Sequence, residues 1–270
     1  MAYKLLALDM DGTLLNSQKK ISAKTAAAIA ELSKSGVHVV VSTGRALAEL
    51  NDYKNELAFM HYGIAISGGL VYDFFRATPI FTHPVPENLS MEIIDAGIAE
   101  RAMIHLMAVR EPLMREEDIR HCADFQMSAY QDMYDRINTR CDDFKAYVHA
   151  HPDEIIKVNL YHRSPESRDR SFARLKNLPL TFAYAETTAL ESSPLGVTKA
   201  SGLRELCNFL KLDISETVAV GDAPNDIEIL KTAGIAAVMG NASAEIKKLA
   251  DFVTDDNDHD GIVRVIEKFF

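Results

Sequence analysis

Both ends of the chain repeat one pattern, in which a short apolar run stops abruptly and a segment with helical spacing follows. The run Leu5–Leu8 stops at an aspartate. Ser22 can then cap a helix in which Ala26, Ile29 and Ala30 recur at helical spacing, before a second, β-branched run at residues 37–41. Uninterrupted apolar runs are typical of strands buried on both faces of a parallel sheet. Strands that alternate with helices over short connections therefore predict an α/β fold, a Rossmann-like doubly wound parallel sheet.

The C-terminal part of the chain shows the same alternation. Leu203, Leu206, Cys207 and Leu210 lie at i, i+3, i+4 and i+7, which is the spacing of an amphipathic helix. The predicted helices occupy residues 198–210, 224–233, 243–250 and 261–270, and the predicted strands occupy residues 217–220, 235–239 and 252–254. Both ends of the chain are thus predicted to build one discontinuous core.

The middle of the chain has a different character, with longer polar stretches and most of the prolines. Residues 156–161 alternate apolar and polar side chains, which predicts a strand with one solvated face. We therefore predict a core formed by residues 1–82 and 191–270, interrupted by an inserted α+β domain at residues 83–190.

Composition and charge restrict the function. The 270 residues carry 29 Lys and Arg against 39 Asp and Glu, a formal net charge of −10. Such a surface repels phosphate backbones and anionic lipid, so nucleic-acid and membrane partners are not expected. Three scattered cysteines, Cys122, Cys141 and Cys207, suit a reduced cytoplasmic protein. The apolar run before Asp9 is too short for a signal peptide or a transmembrane helix. The sequence leaves the oligomeric state open.

Asp9 and Asp11 form the strongest local signal for chemistry. They follow the first apolar run in the sequence Asp-Met-Asp-Gly-Thr. Residues at i and i+2 of an extended chain point the same way, so both carboxylates can face one site. Two like charges this close are costly unless a cation lies between them, and a hard divalent ion such as Mg²⁺ prefers oxygen ligands. An acidic turn bent by Gly12 is the alternative explanation.

Three further segments place polar side chains at predicted strand ends or helix starts. Ser42-Thr43-Gly44-Arg45 follows the second strand, Lys199 begins an amphipathic helix, and Gly221-Asp222-Ala223-Pro224-Asn225-Asp226 joins a strand to a helix. Each alone has a structural explanation as a helix cap or a surface charge. Ligands of open α/β sheets bind outside the carboxyl ends of the strands, so the side chains at strand ends are expected to converge, namely Asp9, Asp11, Thr43, Asp222 and Asn225. Carboxylates, a hydroxyl, a lysine and a metal together suit phosphoryl transfer.

The order of these motifs resembles that of the haloacid dehalogenase superfamily: DxDGT, then Ser-Thr-Gly-Arg, then a lysine, then GDxxND. The insertion between the second and third motifs is similar to the type IIB (C2B) cap of the Cof-like sugar-phosphate phosphatases. The tail Val238-Met239-Gly240-Asn241-Ala242 also resembles that subgroup. The resemblance spans the whole chain, although in the insertion it depends on pattern rather than on motifs.

The resemblance implies a Mg²⁺-dependent phosphatase for small phosphorylated metabolites, with sugar phosphates as the expected substrates. Asp9 is the implied nucleophile and forms an aspartyl-phosphate, and Asp11 is the implied general acid and base. The implied phosphate-binding residues are Gly12, Thr43, Gly44, Arg45, Lys199 and Asn225, of which Thr43 and Lys199 also count as catalytic. The implied metal site comprises Asp9, Asp11 through its backbone carbonyl, and Asp222, with Asn225 and Asp226 as supporting residues.

Two departures from the family pattern concern possible substrate contacts. Ala46 follows Arg45 where the family often has proline, and Ser67 stands where it often has asparagine. Two alternative functions remain at this level, a phosphomutase with the same core and a non-enzymatic sensor of a phosphorylated metabolite. Release of free phosphate separates the first from a phosphatase, and intact Asp9 and Asp11 argue against the second.

Three other clusters of side chains are weaker candidates for a metal or substrate site. His149 and His151 beside Asp153 and Glu154 are expected to be a solvated loop rather than a zinc site. The acidic run at residues 255–260 is expected to be a surface loop rather than a calcium site. Met and Tyr side chains of the insertion could line a substrate pocket but are expected to form its core. These are Met103, Met107, Tyr130 and Tyr134.

Overall fold

The computed structural model describes residues 3–184 and 186–270. These residues form two compact units. The core unit comprises the described residues up to 45 together with 52–81 and 198–270, and the insertion unit comprises 46–51 and 82–197. The two units are described separately below.

The strands of the described residues are, in chain order, β1 (Leu5–Leu8), β2 (His38–Ser42), β3 (Tyr62–Ala65), β4 (Leu70–Asp73), β5 (Thr78–Thr82), β6 (Met103–Ala108), β7 (Pro112–Met114), β8 (Thr139–Arg140), β9 (Ile155–Tyr161), β10 (Leu180–Ala183), β11 (Ala189–Pro194), β12 (Thr217–Gly221), β13 (Ile235–Val238) and β14 (Phe252–Val253). The α-helices are α1 (Ala23–Lys34), α2 (Glu87–Ala99), α3 (Glu116–Arg120), α4 (Gln131–Ile137), α5 (Phe144–Ala150), α6 (Pro165–Leu175), α7 (Lys199–Leu210), α8 (Ile227–Thr232), α9 (Ala244–Lys247) and α10 (Gly261–Phe269). Short 3₁₀ segments join several of these elements.

The core unit is built on an eight-stranded sheet with the order β14-β13-β12-β1-β2-β3-β4-β5. Its strands from β14 to β3 are parallel, and β4 pairs antiparallel with β3. Strands from the N-terminal segment extend the sheet to one side of β1, and strands from the C-terminal segment extend it to the other. The predicted α/β fold with a doubly wound parallel sheet is confirmed.

Local sequence explains how the helices of the core unit begin and end. The side chain of Ser22 accepts a hydrogen bond from the backbone N–H of Thr25 and caps α1, as the spacing predicts. Thr198 caps α7 in the same way, and its reciprocal partner is Ser201. The predicted helix at 224–233 begins instead as a 3₁₀ turn that leads into α8. This turn matters because it carries two of the predicted site residues.

The insertion unit has its own six-stranded sheet with the order β10-β11-β9-β6-β7-β8. Strand β11 pairs with both β10 and β9, so residues 191–194 are hydrogen-bonded into this sheet. The insertion unit therefore extends to residue 197, beyond the boundary at 190 that the composition suggested. One face of the sheet packs its apolar side chains with α2, α5 and α6 around Ile104, Val158 and Leu160.

The opposite face of β9 differs from the sequence prediction. Lys157, Asn159 and Tyr161 were predicted to be solvated, but all three are buried. Lys157 pairs with Glu191, and Tyr161 lies in an apolar cluster with Met103 and Ala189. The prediction of a solvated face is wrong. An alternating strand has one apolar and one polar face, but the pattern does not determine whether other parts of the protein cover the polar face.

Two further observations concern the chain as a whole. Cys122, Cys141 and Cys207 are free thiols. A search of the described residues finds no helix with the length and apolarity needed to cross a membrane.

Candidate active site

Most of the predicted site residues of the core unit follow the carboxyl ends of neighbouring strands. Asp9 follows β1, Thr43 follows β2 and Asp222 follows β12, and β1 lies between the other two strands in the sheet. Because β2 and β12 are added to opposite sides of β1, their connections diverge there. Such a switch point leaves a crevice at the carboxyl ends of the strands, which is where ligands of this fold class bind.

A buried ion cluster forms the centre of this crevice. The ammonium group of Lys199 donates to Asp9 Oδ1 at 2.5 Å and to Asp226 Oδ1 at 2.7 Å. Asp9, Lys199 and Asp226 are 5%, 1% and 0% exposed. Lys199 is the first residue of α7, where its charge opposes the helix dipole, so its placement is explained by the two carboxylates rather than by the helix.

Burial sets the electrostatics of the cluster. It raises the pKa of Asp9 to about 7, with Asp226 and Asp222 acting in the same direction and Lys199 acting against it. Burial alone would lower the pKa of Lys199, but its two carboxylate partners raise that pKa above its ordinary value. Burial likewise raises the pKa of Asp222. Asp9, Asp222 and Asp226 thus share a single ammonium group, that of Lys199, and a bound cation would reduce the repulsion among the three carboxylates.

Asp226 binds the turn at residues 221–226 as well as Lys199. Its Oδ2 accepts hydrogen bonds from the backbone N–H groups of Asp222 and Ala223, both at 3.1 Å. Gly221 permits this approach, because a Cβ at that position would lie 2.5 Å from Asp226 Cγ. Both oxygens of Asp226 therefore accept hydrogen bonds from within the protein.

Asp222 packs against the first motif, residues 9–13, through hydrogen bonds of Thr13 and Asn241. Thr13 Oγ1 donates to Asp222 Oδ1 at 2.7 Å, and Asn241 Nδ2 donates to the backbone carbonyl of Gly12 at 2.9 Å. Gly12 has φ +83°, and a Cβ there would lie 2.4 Å from Asp222 Oδ2. A glycine is required because the backbone of the first motif passes directly against this carboxylate.

Asp11 is ion-paired and half-exposed. Arg45 Nε and Nη2 donate to its two oxygens, each at 2.8 Å, and Lys19 Nζ donates at 2.9 Å. Its partial burial would raise the pKa of the carboxyl, but the hydrogen bonds and charges of Arg45 and Lys19 lower it to about 2. In this arrangement Asp11 is ionised. Arg45 is thus bound to the predicted general acid.

Thr43 lies beside a strained stretch of backbone. It is buried, and its hydroxyl accepts a hydrogen bond from the backbone N–H of Arg45 at 3.2 Å. Its carbonyl accepts one from Ser67, which has φ +56°, and Ile66 before it has φ +49°. A β-branched residue in the left-handed region is a true outlier, and such strain is common at functional sites. The Ser67 departure thus falls at an unusual backbone conformation.

The predicted metal ligands converge in part. One carboxylate oxygen from each of Asp9, Asp222 and Asp226 lies within 4.8 Å of the others. The side chain of Asp11 is not in this group. Asn225 is exposed and has no hydrogen bond to any residue that the structure describes, so its predicted supporting role has no structural contact behind it.

Sequence reasoning assigned no role to Thr13, Asn241 and Lys19, each of which contacts a predicted site residue. Thr13 belongs to the first motif and Asn241 to the C-terminal tail pattern, so the motifs themselves could have identified both residues. Lys19 lies in a polar stretch without a pattern, and only its contact with Asp11 identifies it.

The other candidate clusters lie elsewhere. His149 is exposed and pairs with Glu87, and His151 stacks on Tyr147. Residues of the acidic run bond to their own loop and to its neighbours, for example His259 to Asp256. Met103, Met107 and Tyr134 are buried in the insertion unit.

Comparisons with known proteins identify the family of the chain. A family model of the haloacid dehalogenase-like hydrolases matches residues 6–266. The chain is 28% identical over 264 residues to the 5-amino-6-(5-phospho-D-ribitylamino)uracil phosphatase YcsE of Bacillus subtilis, covering 97% of this chain and 94% of the relative. It is 29% identical over 256 residues to the HMP-PP phosphatase of Serratia proteamaculans, covering 92% and 87%.

The fold is shared with solved structures of the same kind. A haloacid dehalogenase-like hydrolase from Bacteroides thetaiotaomicron aligns with a TM-score of 0.85 at 23% identity, over 99% of this chain and 100% of that one. The motif order, the sheet with its switch point and the family match agree. The chain belongs to the haloacid dehalogenase-like hydrolase family and is a phosphatase of that family.

Proposed function

We propose that this protein is a Mg²⁺-dependent phosphatase that hydrolyses small phosphorylated metabolites, in particular sugar phosphates, through an aspartyl-phosphate intermediate. The observation that carries the proposal is the buried cluster of Asp9, Lys199 and Asp226 beside Asp222 at the switch point of the sheet. A site for binding alone would not need a carboxylate with one oxygen left free.

The donor set fits a hard divalent cation. Its oxygens come from carboxylates and it carries excess negative charge, which is the environment that Mg²⁺ prefers. Asp9 and Asp222 would hold the ion with their side chains, and Asp11 with its backbone carbonyl. When bound, Mg²⁺ neutralises charge on the phosphoryl group and on the carboxylates around it.

Asp9 is suited to attack phosphorus. Lys199 holds its Oδ1, while its Oδ2 has no hydrogen-bond donor among the described residues and keeps its lone pairs available. Attack by Oδ2 forms an O–P bond as the ester O–P bond breaks, and Asp11 donates its proton to the leaving oxygen. Water then attacks the acyl-phosphate with Asp11 as base, and this step restores Asp9 and releases phosphate.

Asp11 can donate a proton only after its pairing with Arg45 loosens, because that pairing keeps its carboxyl ionised with a pKa of about 2. A phosphate dianion competes for the same guanidinium group, which binds phosphate in bidentate geometry. Transfer of Arg45 from Asp11 to the substrate would raise the pKa of Asp11 and prepare it as an acid. Arg45 thereby couples substrate binding to the protonation of Asp11.

The cytoplasm is the proposed location. The three cysteines are free thiols, a state that a reducing compartment maintains. The proposed partners are small phosphorylated metabolites, since a net charge of −10 disfavours nucleic acid and anionic lipid.

The test is hydrolysis of 4-nitrophenyl phosphate and of sorbitol 6-phosphate, with free phosphate measured in the presence and absence of Mg²⁺. We expect Mg²⁺-dependent release of phosphate that Asp9→Asn abolishes and that the exposed control Asp153→Asn keeps. Phosphate that returned to the sugar would indicate a mutase. An Asp9→Asn variant with near-normal turnover would rule out the covalent mechanism.

A further inference from the structure

Two turns of the core unit pack against each other beside the first motif. One is the turn at residues 239–241, which follows β13, and the other is the acidic run at residues 255–260, which follows β14. The backbone N–H of Gly240 donates to the carbonyl of Asp255 at 3.0 Å, and a Cβ at Gly240 would lie 2.8 Å from the backbone nitrogen of Asp256. The two turns are therefore in backbone contact. The proposed function uses neither of them.

The acidic run also binds the segment of chain that follows the first motif. Asn257 Nδ2 donates to the carbonyl of Leu15 at 2.8 Å, and Asp258 Oδ1 accepts from the backbone N–H of Ser17 at 2.9 Å. Asp260 accepts hydrogen bonds from two hydroxyl groups at the start of α1. These side chains thus hold the N-terminal segment against the C-terminal turns of the same unit.

Asn241 extends these contacts to the proposed metal site. Its Oδ1 accepts a hydrogen bond from the backbone N–H of Asn257 at 3.3 Å. Its Nδ2 donates to the carbonyl of Gly12 at 2.9 Å and to Asp222 Oδ2 at 3.4 Å. Asn241 is exposed, so hydrogen bonds rather than packing determine where its amide lies. Because Oδ1 is bound to Asn257, the NH₂ group is directed at Gly12 and Asp222.

Asp222 therefore receives an uncharged donor at each of its oxygens. Thr13 Oγ1 donates to Oδ1 at 2.7 Å, and Asn241 Nδ2 donates to Oδ2. One oxygen of Asp222 also lies within 4.8 Å of carboxylate oxygens of Asp9 and Asp226, and like charges this close repel each other. Two donors restrict the rotation of the carboxylate and oppose that repulsion. Neither donor brings a positive charge that would compete with a cation.

We propose that Asn241 is a positioning residue, which holds the carboxylate of Asp222 and the backbone at Gly12 in the geometry that binds the divalent cation. The inference rests on the proposed function and adds a residue to it. Groups that hydrogen-bond to metal ligands orient those ligands, and their removal lowers metal affinity by about 10–100-fold. Asn241 stands in this relation to Asp222, and through Gly12 it also fixes the peptide next to the carbonyl of Asp11.

The test uses the full chain with Mg²⁺ as the only ligand. Asn241→Ala removes the amide and leaves every carboxylate in place. Isothermal titration of the metal-free variant with MgCl₂ should give a Kd about tenfold higher than that of the wild-type protein. The Mg²⁺ concentration that gives half-maximal hydrolysis of 4-nitrophenyl phosphate should rise by a similar factor.

Asn257→Ala is the matched control. Like Asn241, Asn257 donates from its amide to a backbone carbonyl of the N-terminal segment, but among the described residues its side chain makes no hydrogen bond to Asp222. Both variants should lower the midpoint of thermal unfolding of the metal-free protein by a similar amount, about 2–4 °C. Asn257→Ala should nevertheless leave the Kd for Mg²⁺ within about twofold of the wild-type value.

The outcomes separate this inference from the proposed function. An unchanged Mg²⁺ affinity in Asn241→Ala, or an equal loss of affinity in both variants, would show that Asn241 only joins two segments of the fold, while phosphatase activity would stand. A wild-type protein that did not hydrolyse 4-nitrophenyl phosphate with Mg²⁺ would instead overturn the proposed function, and the inference with it.

Discussion

The two sheets treat buried polar groups in opposite ways. At the switch point of the core sheet, the buried charges pair with one another, since Lys199 serves both Asp9 and Asp226. On the insertion sheet, His105 and Asn159 are uncharged, and the two ring nitrogens of His105 and Oδ1 of Asn159 lack hydrogen-bond partners among the described residues. A buried charge needs a partner of opposite charge, whereas a buried neutral polar group without a hydrogen bond costs only about 1–3 kcal/mol. The core sheet thus gathers paired charges at one point, whereas the insertion sheet buries uncharged polar atoms that make no hydrogen bond.

The largest expected effect comes from removing the cation of each region. Lys199→Met leaves Asp9 and Asp226 facing each other without a counter-charge, and we expect a loss of about 3–5 kcal/mol in the free energy of unfolding at neutral pH. Lys157→Met is the matched variant, and it should lose about 1–2 kcal/mol because Glu191 is partly exposed and can be hydrated. Urea denaturation of both variants measures the contrast, and equal losses would contradict it.

The next effect concerns the close approach of backbone and carboxylate in the core unit. Gly12→Ala introduces a Cβ about 2.4 Å from Asp222 Oδ2 as well as strain from positive φ. Gly36→Ala has the same kind of strain at φ +96° but open space around it. We expect Gly36→Ala to cost about 1 kcal/mol and Gly12→Ala about 1–3 kcal/mol more. Thermal unfolding compares the two, and similar costs would show that Asp222 adjusts freely.

A pH effect should distinguish His105 from the charged cluster. The pKa of its folded form is about 3, below the ordinary value of 6.5, so between these values the unfolded chain binds more protons. Stability should therefore fall as pH decreases from about 6.5 towards 3, by up to about 1.4 kcal/mol per pH unit from this group.

His105→Phe lacks that proton and should be about 2 kcal/mol less sensitive between pH 8 and pH 5 than the wild-type protein. Denaturant titrations at the two pH values provide the measurement. An identical pH dependence in both proteins would mean that His105 is protonated in the folded state.

The smallest expected effect concerns Asp11. Arg45→Gln removes the bidentate partner that lowers the pKa of this carboxyl to about 2. We expect the pKa to rise, because the raising effect of burial is then opposed by Lys19 alone, which still donates to Asp11 Oδ1. Carboxyl carbon shifts in an NMR titration report the change, with Lys19→Gln as the weaker comparison. An unchanged pKa would remove Arg45 from the control of Asp11.

Much of the core unit followed from local pattern. The apolar runs predicted β1, β2 and β12, and Ser22 predicted the start of α1, because burial on both faces and helix capping leave direct traces in neighbouring residues. The convergence of Asp9 and Asp222 was also predicted, since the ends of parallel strands share one edge, whereas Lys199 was assigned to the site by the family resemblance. The pairing of Arg45 with Asp11 has no such local sequence pattern. Only the contact in the folded structure shows that Asp11, the predicted general acid, is ionised.

The insertion unit was less predictable from its sequence. Its strand β9 was identified, but Lys157 and Asn159 were predicted to face solvent and are buried. The end of the unit was placed before β11 was complete, because strand pairing over about 30 residues has no local signature.

By itself, the sequence determined the fold class, the family motifs and the residue types at the reaction site. Periodicity reports burial, and the order of the motifs reports which strand ends carry polar groups. The tertiary structure alone decided which charges neutralise each other and which polar atoms have no partner. These are properties of pairs of residues distant in the chain, such as Lys199 with Asp9 and His105 with Asn159. A hydrogen bond or an ion pair depends on distances of a few ångströms, and local sequence pattern does not specify such distances across a fold.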